Sequence, residues 1–338
     1  MNQTWMITTA IIAFGVTAAS GLIVVPWLRR LKYGQTILDI GPKWHEKKQG
    51  TPTMGGVMFI LGICAAVACG YFLMAGQTGL DNAPDRDIVR ARLIYGMVMA
   101  QLYGLIGFCD DYIKVVKKQN EGLTARQKML MQLAVATVYI VALKLHGGLS
   151  TIVDIPFLGQ FDMGIWFYPF AVVVIIAGTV NAVNLTDGID GLAGSVTFVA
   201  AVSFMLIAAI LQLWSMSMMA TALAAGCVGF LLWNFHPAKV FMGDTGSLFL
   251  GGMLVALAFG LGLPIFLVPI GILYIIETAS VIIQVAYFKT THGKRLFKMT
   301  PIHHHFEMSG WSEVKIVAVF SLVSALGGGL AVWAAALL

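Results

Sequence analysis

Charged residues are scarce in this chain. Of its 338 residues only 11% are Asp, Glu, Lys or Arg, whereas 59% are hydrophobic. A water-soluble domain uses roughly 25% charged residues. The composition therefore excludes an ordinary soluble protein and indicates an integral membrane protein.

Several motifs that define common site classes are also missing. The four cysteines form no Cys-x-x-Cys pair, which argues against a zinc site or a disulfide framework. A P-loop is absent, so an ATP-driven pump is not indicated, and no His-Glu-x-x-His helix supports a zinc protease. We expect no nucleic-acid partner. No basic residue precedes Arg29, and the long apolar stretch before it favours a retained first helix over a signal peptide.

Long apolar runs are abundant, and a bilayer core needs about 20 apolar residues per helix. The runs predict an all-α polytopic membrane protein with a single integral-membrane domain over residues 1–338. Pro264 and Pro269 are expected to bend the ninth helix or to mark its start. The ten predicted spans are 5–28, 54–75, 91–109, 127–147, 164–183, 191–213, 216–234, 246–263, 266–288 and 315–337.

The basic residues are segregated by this arrangement. All of the 21 Lys and Arg residues except Arg86, Arg90, Arg92 and Lys144 fall in loops of one side. The positive-inside rule makes that side cytoplasmic, with both termini outside. A weakly alternating segment near 150–163 predicts a short external β-hairpin.

Acidic residues abut the spans on the predicted cytoplasmic side. Asp110 and Asp111 close the third span, and two adjacent carboxylates repel each other unless a cation is near. Magnesium prefers a few carboxylates together with waters and phosphates. Helix capping is the alternative explanation for any one of these acids, but not for all of them together.

A second polar group has a spacing of three residues: Asn181, Asn184, Asp187 and Asp190. Three residues turn an α-helix by 300°, so the four positions cannot share one face, and we expect the helix to break near Gly188. The alternatives are a site for a polar ligand and a polar helix-packing patch.

A third group lies in Phe-Met-Gly-Asp-Thr-Gly-Ser, residues 241–247. Thr245 or Ser247 is expected to cap the eighth span, whose free N–H groups favour phosphate, and Asp244 would hold a metal beside it. A mere capped turn is the alternative.

Two further strings and one lone acid complete the candidates. In Thr-Pro-Thr-Met-Gly-Gly, residues 51–56, Thr51 is expected to be an N-cap with Pro52 at the first helical position. The internal Pro-Ile-His-His-His-Phe-Glu, residues 301–307, suits contacts with an anion or a solvated loop. Glu277 lies deep in the ninth span and stays unassigned.

Together these strings resemble the phospho-N-acetylmuramoyl-pentapeptide transferases, within the superfamily that transfers hexosamine phosphates to polyprenyl phosphates. The matching strings are Phe-Cys-Asp-Asp-Tyr (108–112), Asn-Leu-Thr-Asp-Gly-Ile-Asp-Gly-Leu-Ala (184–193), the segment 234–247, the triple-His string and residues 51–56. The last two favour this family over its relatives that use N-acetylglucosamine.

The resemblance implies a reaction and a place for it. UDP-N-acetylmuramoyl-pentapeptide would donate its phospho-sugar to undecaprenyl phosphate, giving lipid I and UMP in peptidoglycan biosynthesis. The enzyme would lie in the bacterial inner membrane with its active site on the cytoplasmic face. Members are often dimers, so a homodimer is expected.

The resemblance also implies residue roles. Asp244, with Asp111, would hold Mg²⁺, and Asp110 would engage or deprotonate the lipid phosphate; a direct transfer and a phospho-aspartate intermediate both stay open. Asn184, Asp187, Asp190 and Phe241 would form the nucleoside pocket, supported by Asn181 and Asn234. The donor-binding or phosphate-handling candidates are Lys48, Thr53, Lys128, His303, His304 and His305.

Two other functions are compatible with parts of the pattern. A sister transferase using UDP-N-acetylglucosamine would share the acids and differ in its sugar pocket. A proton-coupled secondary transporter would need polar residues threaded across the membrane, whereas here they are grouped at one face, apart from Glu277.

Overall fold

The fold was taken from a computed structural model that describes residues 4–31, 48, 50–75, 86–116, 122–155 and 159–338. Within these ranges ten helical segments are long and apolar enough to cross a membrane, which confirms the predicted all-α polytopic architecture. The predicted loop lysines at 32, 43, 47, 117 and 118 lie outside the described residues.

Thirteen α-helices are described. They are α1 Thr4–Arg30, α2 Gly56–Ala75, α3 Arg86–Val116, α4 Ala125–His146, α5 Phe167–Phe170, α6 Gly178–Thr186, α7 Leu192–Ile210, α8 Trp214–Asn234, α9 Gly243–Gly260, α10 Leu267–Ile270, α11 Ile272–Thr290, α12 Ile302–Glu307 and α13 Glu313–Ala335. A 3₁₀ turn (Gly164–Trp166), α5, a π-helical segment (Ala171–Ala177) and α6 together make the fifth span.

The predicted hairpin is confirmed. Strand β1 (Ile152–Ile155) pairs antiparallel with β2 (Gly159–Asp162), with Ile152 opposite Asp162 and Ile155 opposite Gly159. Its connection, residues 156–158, lies outside the described residues.

Two predicted boundaries are wrong. The third span does not end at 109, because α3 continues as a helix to Val116 and so carries Asp110, Asp111 and Lys114 on one rod. The ninth long helix begins at Ile272 and not at 266, because Pro264 opens a separate 3₁₀ turn and Pro269 lies in the short α10.

The start of the second span also differs from its prediction. Thr51 is not an N-cap, since α2 begins at Gly56. The preceding backbone pairs with another segment: Phe241 N–H donates to the carbonyl of Pro52 at 2.8 Å, and Gly55 N–H donates to the carbonyl of Phe241 at 2.8 Å. These bonds place residues 52–56 beside the start of α9.

Helix α9 is the centre of the bundle. Every residue from Thr245 to Gly260 is buried, and the helix packs against α3 over the largest contact in the fold and against α2, α6, α7 and α8. Small residues permit this close approach, as is usual for helices in lipid. At the α3 crossing, a Cβ on Gly107 would collide with the backbone carbonyl of Asp244.

Gly107 therefore sets the distance between the end of α3 and the start of α9. We expect Gly107→Ala to lower the thermal stability of the detergent-purified protein by about 1–3 kcal/mol, the usual cost of overpacking. Gly15→Ala is the matched control, because a Cβ there meets nothing within 4 Å. It should be neutral or slightly stabilising. Equal melting temperatures for the two variants would show that the helices do not depend on this contact.

Candidate functional site

Three carboxylates meet where α3 ends and α9 begins. Asp110 and Asp111 come from α3, and Asp244 is the second residue of α9. One oxygen from each carboxylate lies within 4.8 Å of the other two. Asp110, Asp111 and Asp244 are called the carboxylate triad below.

Asp111 is the most constrained member of the triad. Its carboxylate accepts hydrogen bonds from Thr245 N at 2.9 Å, from Thr245 Oγ1 at 2.7 Å and from Asp244 N at 3.2 Å. The free N–H groups and positive end of α9 are therefore satisfied by an acid from another helix. The prediction that Thr245 or Ser247 caps this helix is wrong, because Thr245 donates to Asp111 and Ser247 donates to the carbonyl of Gly243.

Two lysines compensate the negative charge of the triad. Lys114 Nζ lies 2.6 Å from Asp110 Oδ2 and 2.9 Å from Asp244 Oδ2, and Lys128 Nζ lies 2.9 Å from the same Asp244 oxygen. The other Asp244 oxygen accepts a hydrogen bond from Asn184 Nδ2 at 2.7 Å. Sequence reasoning predicted a role for Lys128 and missed Lys114, although its place four residues after Asp110 on one helix was a usable signal.

Asp110 is anchored on its other side. Its Oδ1 accepts the backbone N–H of Leu123 at 2.7 Å, which ties the end of α3 to the segment that leads into α4. Thr124 then caps α4 with a capping box that Gln127 completes. This cap places Lys128 one turn into α4, within reach of Asp244.

A glycine brings Thr53 next to the triad. Gly243 has a φ of +70°, and a Cβ at this position would press on both the Asp111 carboxylate and the Thr53 hydroxyl. Phe241 contributes two backbone hydrogen bonds to the segment that holds Thr53. The structure thus brings Thr53 and the backbone of Phe241 to the edge of the triad.

The break after α6 forms as predicted. Helix α6 ends at Thr186, and Asp187, Gly188, Ile189 and Asp190 make a turn before α7. Asn184 points from the last turn of α6 to Asp244 and Ser247. Residues 187–190 are called the acidic turn below.

Asn181 and Asn234 support this region without touching the triad. Asn181 Nδ2 donates to Gln132 Oε1 at 2.6 Å and so links α6 to α4. Asn234 accepts from Gly191 N at 3.2 Å and donates to the carbonyl of Val240 at 2.9 Å. The two amides hold the segments on either side of the acidic turn.

Lys48 and Asp190 belong to a second, neighbouring cluster. Lys48 Nζ lies 2.7 Å from Asp190 Oδ1 and 2.7 Å from Glu313 Oε2. His236 Nδ1 is 3.2 Å from Asp190 Oδ2, which also accepts from Ala238 N at 2.9 Å. The predicted donor lysine is therefore bound by two carboxylates, and Glu313 and His236 are members that sequence reasoning missed.

The three histidines face three different partners. His303 is fully buried, and its Nδ1 is 3.1 Å from Glu277 Oε2. His304 Nδ1 is 2.6 Å from Glu307 Oε2, and His305 Nδ1 accepts the backbone N–H of Lys298 at 3.1 Å. A short helix, α12, presents them in different directions, so they do not form one common group.

The site combines clustered carboxylates, two ammonium groups and amide donors at one end of the helices. Carboxylate oxygens are the ligands that magnesium prefers, so the triad has the right donor chemistry for a divalent cation. The lysines lie where they could also neutralise phosphate oxygens. Such a set of groups is compatible with binding of a metal diphosphate.

Comparison with known proteins shows that the same region matches two models of known protein families. The chain matches the profile of glycosyl transferase family 4 over residues 93–262, which includes the whole triad. It also matches signature 1 of the phospho-N-acetylmuramoyl-pentapeptide-transferases over residues 48–60, which includes Lys48 and Thr53.

Close relatives cover almost the whole chain. The protein named phospho-N-acetylmuramoyl-pentapeptide-transferase from Desulforamulus reducens is 48% identical over 96% of this chain and 94% of its own length. Proteins of the same name from Acetivibrio thermocellus and Bacillus licheniformis are 46% and 44% identical, over 94% and 98% of this chain and 91% and 100% of their own lengths. The chain therefore belongs to the phospho-N-acetylmuramoyl-pentapeptide-transferase family.

Proposed function

We propose that this protein transfers phospho-N-acetylmuramoyl-pentapeptide from its UDP derivative to undecaprenyl phosphate, producing lipid I and UMP. The observation that carries the proposal is the carboxylate triad with Lys114 and Lys128, built at the ends of membrane-spanning helices. A site there reaches a soluble nucleotide donor and a lipid whose phosphate lies at the membrane surface. The names of the relatives supply the substrates.

Mg²⁺ is the cofactor that this proposal requires. Asp244, together with Asp111, would hold the ion, which would neutralise charge on the donor diphosphate. The side chain of Asp244 is 17% exposed, whereas that of Asp111 is 4% exposed and bonded to the start of α9. Asp244 is therefore the more available ligand, and Asp111 contributes mainly by fixing Asp244 in place.

The chain's own groups do the rest by positioning and charge neutralisation, as is general for phosphoryl transfer. Asp110 would engage the lipid phosphate or take its proton. An oxygen of the lipid phosphate then attacks the β-phosphorus of the donor. Lys114 already lies between Asp110 and Asp244 and would stabilise the charge that develops as UMP leaves. Lys128 would do the same from α4.

The remaining candidates are proposed to bind the donor. Asn184, Asp187, Asp190 and Phe241 would surround the nucleoside, while Thr53 and Lys48 would line its approach. Lys48 would do so by exchanging one of its carboxylate partners for the donor, because Asp190 and Glu313 each lie 2.7 Å from its Nζ. His304 and His305 would contact the anionic part of the donor.

The orientation follows from the same chemistry. UDP-linked donors are cytoplasmic in bacteria, and the lysine-rich loops predict that the triad lies on that side of the inner membrane. A homodimer stays a prediction from the resemblance.

Asp187 is proposed to be protonated in the free protein. Burial, followed by the negative charges of Asp244, Asp111 and Asp190, raises the pKa of Asp187 to about 8. Among the described residues no hydrogen bond or positive charge on its carboxyl group offsets these effects. A carboxylic acid can donate a hydrogen bond to a carbonyl of the nucleoside, which a carboxylate cannot.

The catalytic role of Asp244 has a direct test. Asp244→Asn keeps the size of the side chain and removes its charge, so exchange of labelled UMP into the donor should fall about 100-fold or more. Asp162→Asn, on the external strand β2, is the matched control and should exchange at the normal rate. Normal exchange by Asp244→Asn protein with an unchanged melting temperature would remove this residue from catalysis.

The raised pKa of Asp187 predicts a pH-dependent stability difference. An acid with a folded-state pKa above its unfolded value binds more protons in the native state, so ionising it costs stability as the pH rises from about 4 to about 8. Asp187→Asn escapes this cost. In EDTA and without nucleotide, its melting temperature should match that of the wild type at pH 4 and exceed it by at least about 5 °C at pH 9. The same difference at both pH values would mean that the Asp187 pKa is not raised.

A further inference from the structure

Glu277 is the acidic side chain of the ninth long helix that the proposed reaction does not use. It is fully buried in α11, and so is its partner His303 in α12. Their Nδ1–Oε2 distance is 3.1 Å. Burial of two ionisable groups is costly, and well-packed apolar side chains of similar size often replace such a pair without loss of stability. The pair therefore calls for a reason other than stability.

Both members have a polar atom left over. Among the described residues, neither Glu277 Oε1 nor His303 Nε2 has a hydrogen-bond partner, although both atoms are buried. Because Nδ1 is turned to Glu277, the Nε2 edge of the ring faces the opposite way. The orientation of the imidazole is thus set by Glu277 and not by the surroundings of Nε2.

That opposite edge lies against the acidic turn. A Cβ on Gly188 would collide with Nε2 of His303 and approach Cε1 to 2.7 Å. Gly188 directly follows Asp187 and lies two residues before Asp190, both of which belong to the proposed nucleoside pocket. The imidazole of His303 therefore packs directly against the backbone of the acidic turn.

Other contacts hold the His303 ring and Glu277 in place. The His304 ring lies 4.1 Å from the His303 ring, centroid to centroid, and is itself held by Glu307. Ser280, one turn along α11, donates to the carbonyl of Glu277. The acidic turn has its own second anchor, since Asp190 is held by Lys48, His236 and Ala238. On the Asp187 side, the described contacts of the turn are the hydrogen bond from Asp187 N–H to the carbonyl of Asn184 at 3.2 Å and the packing of Gly188 on His303.

We propose that Glu277 is a positioning residue for the nucleotide donor: it orients His303, whose ring places Gly188 and thereby Asp187 at the nucleoside pocket. The inference rests on the proposed function, because it assigns that pocket to the acidic turn. Neither Glu277 nor His303 touches the donor in this scheme. The carboxylate triad is anchored independently, through Thr245, Leu123 and the two lysines.

The test separates placement of the donor from catalysis. Glu277→Leu removes the acceptor for Nδ1 while keeping the volume, so the KM for the UDP-linked donor should rise tenfold or more with kcat within threefold of the wild type. Glu277→Gln keeps an oxygen acceptor and should stay within threefold in both parameters. Ser324→Ala is the matched control, because it removes a buried hydroxyl of α13 that has no hydrogen-bond partner among the described residues, and it should behave like the wild type.

The possible outcomes are distinct. Wild-type protein that fails to turn over the donor would defeat the proposed function, and the inference with it. If the wild type is active, an unchanged KM in Glu277→Leu, or a loss confined to kcat, overturns the positioning role alone. A KM for Glu277→Gln that is raised as much as that of Glu277→Leu would likewise overturn the positioning role.

A second pair of variants decides the question if Glu277→Leu does not fold. Gly188→Ala should weaken binding of UMP about tenfold by calorimetry, because the new methyl group meets the imidazole of His303. In a His303→Ala background the same glycine substitution should change UMP affinity by less than twofold, since the obstacle is gone. Equal effects in the two backgrounds would show that His303 does not support the turn.

Discussion

The contact between the end of α3 and the start of α9 is the constraint on which the rest of the site depends. Gly107 lets the two helices approach until the Asp111 carboxylate accepts hydrogen bonds from the first N–H groups of α9. Asp111 of α3 thus caps α9. The same contact brings Asp110, the neighbour of Asp111 on α3, close to Asp244 at the start of α9. Helix packing therefore determines where the three carboxylates lie.

Charge compensation explains why three acids can lie together at this place. Two lysines, one from α3 and one from α4, form ion pairs with Asp110 and Asp244; the acids are mostly buried, whereas the Lys114 side chain is 35% exposed. The second cluster has the same arrangement, because Lys48 forms ion pairs with both Asp190 and Glu313. In both clusters a lysine lies between carboxylates that are distant in sequence, so charge holds separate segments of the chain together. A polyanionic substrate would compete for the same ammonium groups.

Much of the fold was readable from the sequence, because length and hydropathy determine a membrane helix. Ten spans and the external hairpin were predicted, and the break after Thr186 followed from a spacing of three that no single helix face can accommodate. The errors about helix capping have a common cause. Thr51, Thr245 and Ser247 were assigned local capping roles, whereas the helix starts are satisfied by partners distant in sequence, such as Asp111.

The candidate site was predicted only in part, for a related reason. Acids at helix ends are visible as interruptions of apolar runs, so Asp110, Asp111 and Asp244 stood out. Glu313 and His236 did not, because nothing in their local sequence reveals that they meet Lys48 and Asp190. Glu277 was noticed as an intramembrane acid, but its partner lies 26 residues away on another helix. Long-range pairing of this kind is a property of the folded chain, and one sequence does not display it.

Binding of Mn²⁺, followed by electron paramagnetic resonance on the purified protein, tests the central claim most directly. If the triad holds one divalent cation, the wild type should bind a single Mn²⁺ that Mg²⁺ displaces. Asp111→Asn and Asp244→Asn should each weaken that binding at least tenfold, and Asp110→Asn should weaken it less, because Asp110 is assigned to the lipid phosphate. Unchanged Mn²⁺ affinity in Asp111→Asn and Asp244→Asn protein, with their folds intact, would contradict a cation site built by these two members of the triad.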